Sequence, residues 1–310
     1  MKLLSLKNVI SSEQFDREML EELFELSDKM RSISIKDKTL HSKIMISLFY
    51  EPSTRTRFSF ESAMIKMGGT VITTENAAQF SSGAKGENLE DTIRVISGYG
   101  DVIVIRHYIE GAAHIASEVS TIPVINAGDG AGEHPTQSLL DIYTIYKEIK
   151  KIDNFSIAMV GDLANGRTVR SLTKLIAKNC KNVEIIFVSP DNVKMKDDIK
   201  NFLREKNISF REERELKKVA KEVDIIYQTR IQRERFKSIE EYEKARGIYI
   251  IDKEILDVMK DNSIIMHPLP RVDEIALTVD HDKRAAYFRQ AHNGLFVRMA
   301  LLKVLLEEKS

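Results

Sequence analysis

Short β-rich runs and helical stretches alternate along almost the whole chain, and this alternation restricts the fold more than any other feature. A strand that feeds a helix and then another strand pairs most simply in parallel, with helices covering the faces of the sheet. The runs Ile44–Phe49, Val71–Thr73, Val102–Ile105 and Val124–Asn126 read as strands. Helical stretches at Thr54–Met67, Leu89–Tyr99 and Gly111–Val119 lie between them. A second series restarts at Ser156–Gly161, passes through a helix over Arg167–Asn179, and offers strands at Val183–Val188, Asp224–Gln228 and Ser263–Met266. The Lys- and Glu-rich stretch Met195–Val223 reads as outer helices with solvated faces. The expected fold class is α/β with two domains, each a parallel sheet flanked by helices; 310 residues suffice for both. The opening helix is expected near Ser11, where Gln14 completes a capping box and Phe15, Met19, Leu23, Leu26 and Met30 recur at helical spacing. No Pro/Gly/Ser linker separates the halves, so the amphipathic helix Thr136–Ile149 is the expected connection. The last helix, Gly294–Leu306, carries Leu295, Met299, Leu302 and Leu306 on one face and must pack on something.

Lys plus Arg total 47, as do Asp plus Glu, so no global field draws the chain to nucleic acid or to a membrane. An anion site must then be local, built from a few aimed cations. Cys180 is the single cysteine, which rules out an internal disulfide and a Cys-based zinc cluster and fits a reducing compartment. The apolar stretch near the N-terminus is too short for a secretory signal, and no run approaches a membrane span. A soluble cytoplasmic protein is expected.

Glu51-Pro52-Ser53-Thr54-Arg55-Thr56-Arg57 follows directly on the run Ile44–Phe49. A strand entering a Ser/Thr-rich helix start gathers free backbone N–H groups and hydroxyls around one point, and Arg55 adds a fork that can grip phosphate twice. A lone Ser-Thr-Arg is more often a helix cap with surface arginines. Two Thr-Arg pairs after an apolar strand shift the balance toward an anion site. The loop Ser81–Glu87 centres on Lys85 but lacks P-loop spacing, and by itself it reads as a surface turn. Arg106-His107 ends one strand run, and Asn126–Gln137, with His134, Pro135, Thr136 and Gln137, follows another. The G-x-G-x-G spacing of Gly128, Gly130 and Gly132 does not match a dinucleotide fingerprint. Ligands of open α/β sheets sit beyond the carboxyl ends of strands. Arg55, Arg106 and His134 fall at three such ends, with Gln137 one turn beyond His134. In the second series Arg167, Arg230 and the corner His267-Pro268-Leu269-Pro270-Arg271 occupy corresponding places. A Pro-x-Pro corner cannot join a regular ladder, which leaves the carbonyls of Leu269 and Pro270 able to point into a cleft. No metal-binding spacing and no G-x-S-x-G nucleophile occurs, so non-covalent chemistry by arginines, a histidine and hydroxyls is expected, without cofactor or metal.

Taken together and in this order, these motifs resemble the aspartate/ornithine carbamoyltransferase family over nearly the whole chain. His-Pro-Leu-Pro and Thr229-Arg230-Ile231-Gln232-Arg233-Glu234-Arg235 resemble its aspartate branch, and the ornithine branch's Ser-Met-Gly loop is absent. Ala84 departs from relatives that carry a second lysine there. The resemblance implies transfer of a carbamoyl group from carbamoyl phosphate to the amine of aspartate, giving N-carbamoyl-aspartate and phosphate, an early step of de novo pyrimidine (UMP) synthesis. It implies that Ser53, Thr54, Arg55 and Thr56 hold the phosphate together with Arg106, and that Thr56, Arg106 and His134 address the carbamoyl oxygen. Gln137, Leu269 and Pro270 would hold the carbamoyl NH₂; Arg167, Arg230 and Gln232 the aspartate carboxylates, with help from Lys85. Arg55, Thr56, Lys85, Arg106 and His134 would form the catalytic set. It further implies a homotrimer in which Ser81 and Lys85 come from the neighbouring subunit, and it leaves open a separate regulatory chain that forms a larger heteromer. A carbamoyl-phosphate domain would span residues 1–132 and regain 292–310, a connecting helix 133–152, and an aspartate domain 153–284, with closure expelling water. Transfer to another amine, such as ornithine or N-acetylornithine, is the alternative; a non-catalytic homologue and a nucleotide-binding protein are weaker ones.

Overall fold

The computed structural model describes residues 2–33, 39–75, 77, 86–130, 132–231, 238–240 and 247–307. The chain divides into two compact units, Met1–Leu140 with His292–Ser310, and Asp141–Ala291.

In the first unit, strands β1 (Ile44–Phe49), β2 (Thr70–Glu75), β3 (Val102–His107) and β4 (Val124–Asp129) form a sheet in the order β2-β1-β3-β4. Every pairing is parallel. β-Branched and other large apolar residues suit strands covered on both faces, and Val102, Ile103, Val104 and Ile105 are all fully buried. Helices α2 (Thr54–Lys66), α3 (Leu89–Ile96), α4 (Ala112–Val119) and α5 (Pro135–Ile149) follow the strands in turn. Ile93, Ala113 and Ala116 pack with Ile46, Leu48, Ile103 and Ile105 into one core layer. The capping box at Ser11 and Gln14 forms, but it closes only a short 3₁₀ turn, Ser12–Gln14. The helix α1 begins afterwards at Arg17–Arg31, capped by the Asp16 carboxylate on the Met19 N–H. Phe15 interrupts the run with an extended backbone, which the periodicity of apolar residues could not reveal.

In the second unit, β5 (Phe155–Val160), β6 (Val183–Val188), β7 (Ser209–Glu213), β8 (Ile225–Gln228) and β9 (Ile264–Met266) form an all-parallel sheet in the order β7-β6-β5-β8-β9. Helices α6 (Arg167–Asn179), α7 (Asp197–Glu205), α8 (Leu216–Ala220) and α9 (Lys253–Leu256) intervene. The purely helical reading of Met195–Val223 is corrected here, because β7 lies inside it. An edge strand needs no two-faced apolar run, and charged side chains on an edge discourage pairing with another chain. Phe210 therefore stands among Arg211, Glu212 and Glu213. Val160, Ile186, Val188, Ile226 and Ile265 share a core layer with Val219, Val223 and Tyr249.

The last helix, α10, begins at Tyr287 and runs to Leu306, two turns earlier than its apolar stripe suggests. From His292 onward it belongs to the first unit. Arg298, 3% exposed, stacks over Phe60 and donates to Ser59 Oγ at 2.9 Å, tying α10 to α2. No helix among the described residues is long and apolar enough to cross a membrane.

Candidate active site

At the carboxyl edge of the first sheet, β1 runs into Ser53, the residue that precedes α2. The first intrahelical bond of α2 is from the Arg57 N–H to the Ser53 carbonyl, at 3.0 Å, which leaves the N–H groups of Thr54, Arg55 and Thr56 without an acceptor inside the helix, and the Ser53 side chain does not cap them. Arg55 reaches solvent and has no hydrogen bond or salt bridge among the described residues. Partial burial of its guanidinium lowers its pKa, although arginine stays charged at any physiological pH. Its neighbour Arg57 is already committed, to Glu75 at 3.2 Å and Glu61 at 3.8 Å.

Parallel register sets Phe49 beside Arg106, and the Tyr50 N–H donates to the Arg106 carbonyl at 2.8 Å. Arg106 is thereby placed at the strand end next to the Ser53–Thr56 turn. Its guanidinium donates to the Ala127 carbonyl at 3.1 Å and lies 3.3 Å from Glu51. Glu51 is thus a partner of Arg106 that no motif announced. Its adjacency to Ser53 was visible, but its partner lies on another strand. His107 next door is structural. Its Nδ1 accepts the Ile109 N–H, its ring packs on Tyr50 and Tyr108, and burial lowers its pKa.

Beyond β4 the chain turns sharply. Gly130, at φ +49°, donates its N–H to the His107 carbonyl at 2.8 Å. Asp129 receives the N–H groups of Gly111 and Glu133, at 3.0 and 2.8 Å. Glu133 in turn accepts from Ser11 Oγ and from Ser12 N and Oγ, all within 2.9 Å. This clasp fixes the entry to α5, and the His134 carbonyl accepts the N–H groups of Gln137 and Ser138. His134, Gln137 and Thr56 are all buried, at 5%, 9% and 7% exposure. The strand order brings the segments that carry Arg55, Arg106 and His134 to three adjacent strand ends.

The second unit builds a matching edge. Gly161 follows β5 at φ +111°, and a side chain there would meet the Thr229 carbonyl at 2.4 Å. Thr229 donates both N–H and Oγ1–H to the Val160 carbonyl, each at 2.8 Å, so Arg230 starts from a fixed point beside the β5 end. Arg167 is the first residue of α6, after a turn in which Asp162 accepts from Asn165. After β9 the Leu269–Pro270 peptide is cis, Leu269 has φ +53°, and its N–H donates to His267 Nδ1 at 2.7 Å. Leu269 is half-buried and Pro270 exposed. Ser81, Lys85 and Gln232 lie outside the described residues. Among the described residues no cluster of three His, Cys, Asp or Glu side chains could hold a metal.

Two parallel sheets with arginines, hydroxyls and a buried histidine at their carboxyl edges describe a protein built to grip anionic small molecules. Residues 7–147 match the family model described as aspartate/ornithine carbamoyltransferase, carbamoyl-P binding domain. Residues 153–305 match its Asp/Orn binding domain. The chain belongs to the aspartate/ornithine carbamoyltransferase family. It is 60% identical to the chloroplastic aspartate carbamoyltransferase of Arabidopsis thaliana over 310 residues, covering 99% of this chain and 79% of that one. The solved catalytic subunit of aspartate transcarbamoylase from M. jannaschii superimposes with a TM-score of 0.91 at 50% identity, covering 97% and 98% of the two chains. The Trypanosoma cruzi aspartate transcarbamoylase solved with N-(phosphonacetyl)-L-aspartic acid gives 0.91 at 41% identity, over 97% and 96%.

The close approach at Gly161 yields a direct test. Gly161→Ala combines a left-handed φ with a backbone clash and should destabilise the chain by roughly 1–3 kcal/mol. Gly98→Ala, whose nearest neighbour would be 3.5 Å away, should be close to neutral. Urea unfolding of the two variants checks this; equal midpoints would refute the strain at the β5 turn.

Proposed function

We propose that this chain is an aspartate carbamoyltransferase, making N-carbamoyl-L-aspartate and phosphate from carbamoyl phosphate and L-aspartate in de novo pyrimidine synthesis. The observation that carries the reading is the match along both units to relatives named for that reaction, one of them solved with a phosphonacetyl-aspartate ligand. Ornithine is disfavoured by the His267-Pro268-Leu269-Pro270 corner.

In this reading Ser53, Thr54, Arg55 and Thr56 hold the phosphate, with Arg106 beside them. An arginine whose charge no carboxylate among the described residues has claimed, at the amino end of a 13-residue helix, suits a phosphate dianion. Thr56, Arg106 and His134 address the carbamoyl oxygen, where negative charge grows as the amine attacks. Gln137 and the carbonyls of Leu269 and Pro270 take the carbamoyl NH₂. Arg167, Arg230 and Gln232 bind the two carboxylates of aspartate, with Lys85. The aspartate nitrogen forms a bond to the carbamoyl carbon, the C–O bond to phosphate then breaks, and the leaving phosphate accepts the proton that the amine sheds.

The reading extends to a homotrimer in which Ser81 and Lys85 of one chain complete the site of the next, and it leaves room for a regulatory chain. The cytoplasm is the proposed compartment, supported by a lone, buried Cys180. The plant relatives are named chloroplastic, so imaging of the tagged protein decides between the two.

Purified chain treated with a chelator should form N-carbamoyl-aspartate and phosphate at an undiminished rate, with ornithine inert in the same assay. Activity that disappears with the chelator, or that prefers ornithine, would remove the assignment.

The two anion grips should also separate. Arg55→Ala should abolish measurable carbamoyl phosphate binding by calorimetry and cost at least roughly 100-fold in turnover. Arg230→Ala should leave that binding nearly intact while raising the KM for aspartate. Equal loss of carbamoyl phosphate binding in both variants would contradict the division.

Sharing between subunits has its own arithmetic. If inactive Lys85→Ala and Arg55→Ala chains are unfolded and refolded together in equal amounts, about three-quarters of trimers are mixed, each with one intact junction of three. About a quarter of wild-type activity should return by that count. A confirmed mixed trimer that stays inactive would mean each site is built from one chain.

A further inference from the structure

The corner after β9 ends a buried hydrogen-bond chain that the proposed reaction does not use. Tyr227 donates its hydroxyl to Asp141 Oδ2 at 2.7 Å, and burial beside that carboxylate holds its pKa well above the usual phenol range. Asp141 Oδ1 accepts from Gln290 Nε2 at 2.6 Å, and Gln290 Oε1 accepts the His267 N–H at 2.8 Å. The His267 ring, in a residue 2% exposed, is bracketed on both sides. Nδ1 lies 2.7 Å from the Leu269 nitrogen, and Nε2 lies 2.7 Å from Glu274 Oε1. A backbone N–H can only donate, so Nδ1 must present its lone pair and the ring proton must sit on Nε2, aimed at Glu274. The second oxygen of Glu274 accepts the N–H groups of Val272 and Asp273 at 3.0 and 3.2 Å. Burial acts to raise the Glu274 pKa, but the His267 bond and these N–H groups outweigh it and lower it. Glu274 therefore stays a carboxylate and fixes the ring's orientation.

Leu269 is the residue that needs this support. Its φ of +53° is a left-handed conformation that branched side chains resist. We infer that His267, as the neutral Nε2–H tautomer latched by Glu274, is a positioning residue for the carbamoyl group. By accepting the Leu269 N–H it holds the corner so that the Leu269 and Pro270 carbonyls meet the carbamoyl NH₂. The inference rests on the carbamoyl transfer proposed above, and it concerns a residue that touches no substrate.

Two substitutions separate the ring's two contacts. His267→Asn places an amide oxygen where Nδ1 stands, so the Leu269 N–H keeps an acceptor while Glu274 loses its donor. His267→Gln reaches Glu274 as Nε2 does but leaves Leu269 without an acceptor. H267N should keep kcat within about tenfold of wild type, because the Leu269 N–H keeps its acceptor. H267Q should lose roughly 100-fold, as expected of a displaced positioning group. N-(phosphonacetyl)-L-aspartate supplies the readout that a general loss of structure would not spare. It carries a methylene where carbamoyl phosphate has its bridging oxygen, and it has no group equivalent to the carbamoyl NH₂. Its Kd should change little in either variant. Equal kcat losses in the two variants, or analogue binding lost in step with kcat, would overturn the inference and make His267 a purely structural residue. Should H267Q fail to fold, Glu274→Gln serves instead, since an amide cannot accept from His267 and from both backbone N–H groups. Its kcat should fall while analogue binding holds; a wild-type kcat refutes the latch. Nitrogen-15 spectra of histidine-labelled wild-type protein read the tautomer directly, and a proton on Nδ1 of His267 would overturn the inference whatever the variants do. The parent reading is judged separately, on whether the wild-type chain carbamoylates aspartate.

Discussion

Parallel strand pairing is the constraint from which the rest of this molecule follows. Each parallel sheet sends all its strands in one direction, so all of their carboxyl ends lie along one edge. Neighbouring strands sit roughly 5 Å apart. Residues far apart in the chain, such as Phe49 and Arg106 or His107 and Asp129, therefore become neighbours through register alone. Three turns in each unit arrive at such an edge. A chain with no net charge can in this way raise a strong local positive potential without becoming a general polyanion binder.

Register alone does not aim the side chains. The apolar layers are made of interchangeable branched residues, which specify a fold more readily than the angle of one loop. Polar clasps supply that angle. Glu133 collects three donors from the opening turn and fixes the entry to α5, and Arg298 links Ser59 of α2 with Thr136 of α5 from its seat on α10. A buried guanidinium is costly unless its donors are satisfied, so such a group tolerates few alternative arrangements. The helices that carry Thr56 and Gln137 are held by these contacts as much as by burial.

Much of this is legible in the amino-acid sequence, and the limits of legibility are physical. Strands buried on both faces announce themselves as unbroken apolar runs, and α6 starts and stops at Arg167 and Asn179, where its sequence pattern does. β7 did not announce itself, because an edge strand with one covered face can carry Arg211, Glu212 and Glu213 and so resembles a solvated helix. The motifs around Arg55, Arg106, His134 and the His267 corner were visible because each is contiguous. The groups that steady them were not. Arg298 meets Ser59 across 239 positions, Gln290 meets Asp141 across 149, and Tyr227 meets Asp141 across 86. A sequence states which residue types are present, whereas partnership at such separations is fixed only by topology.

The two arginines of Thr54-Arg55-Thr56-Arg57 show how topology turns composition into function. They are two positions apart on a helix, so their side chains leave its axis about 200° apart, on nearly opposite faces. Arg57 meets Glu75 at the end of β2 and Glu61 one turn along its own helix, and its charge is answered within the protein. Arg55 meets no carboxylate among the described residues. The distinction matters for binding, because a phosphate at Arg57 would have to compete with two carboxylates already in place. Only the unclaimed member of the pair can offer a bidentate grip at no such cost. Swapping the register of α2 by one residue would turn both forks away from their places. Anion recognition here therefore begins with where a helix starts.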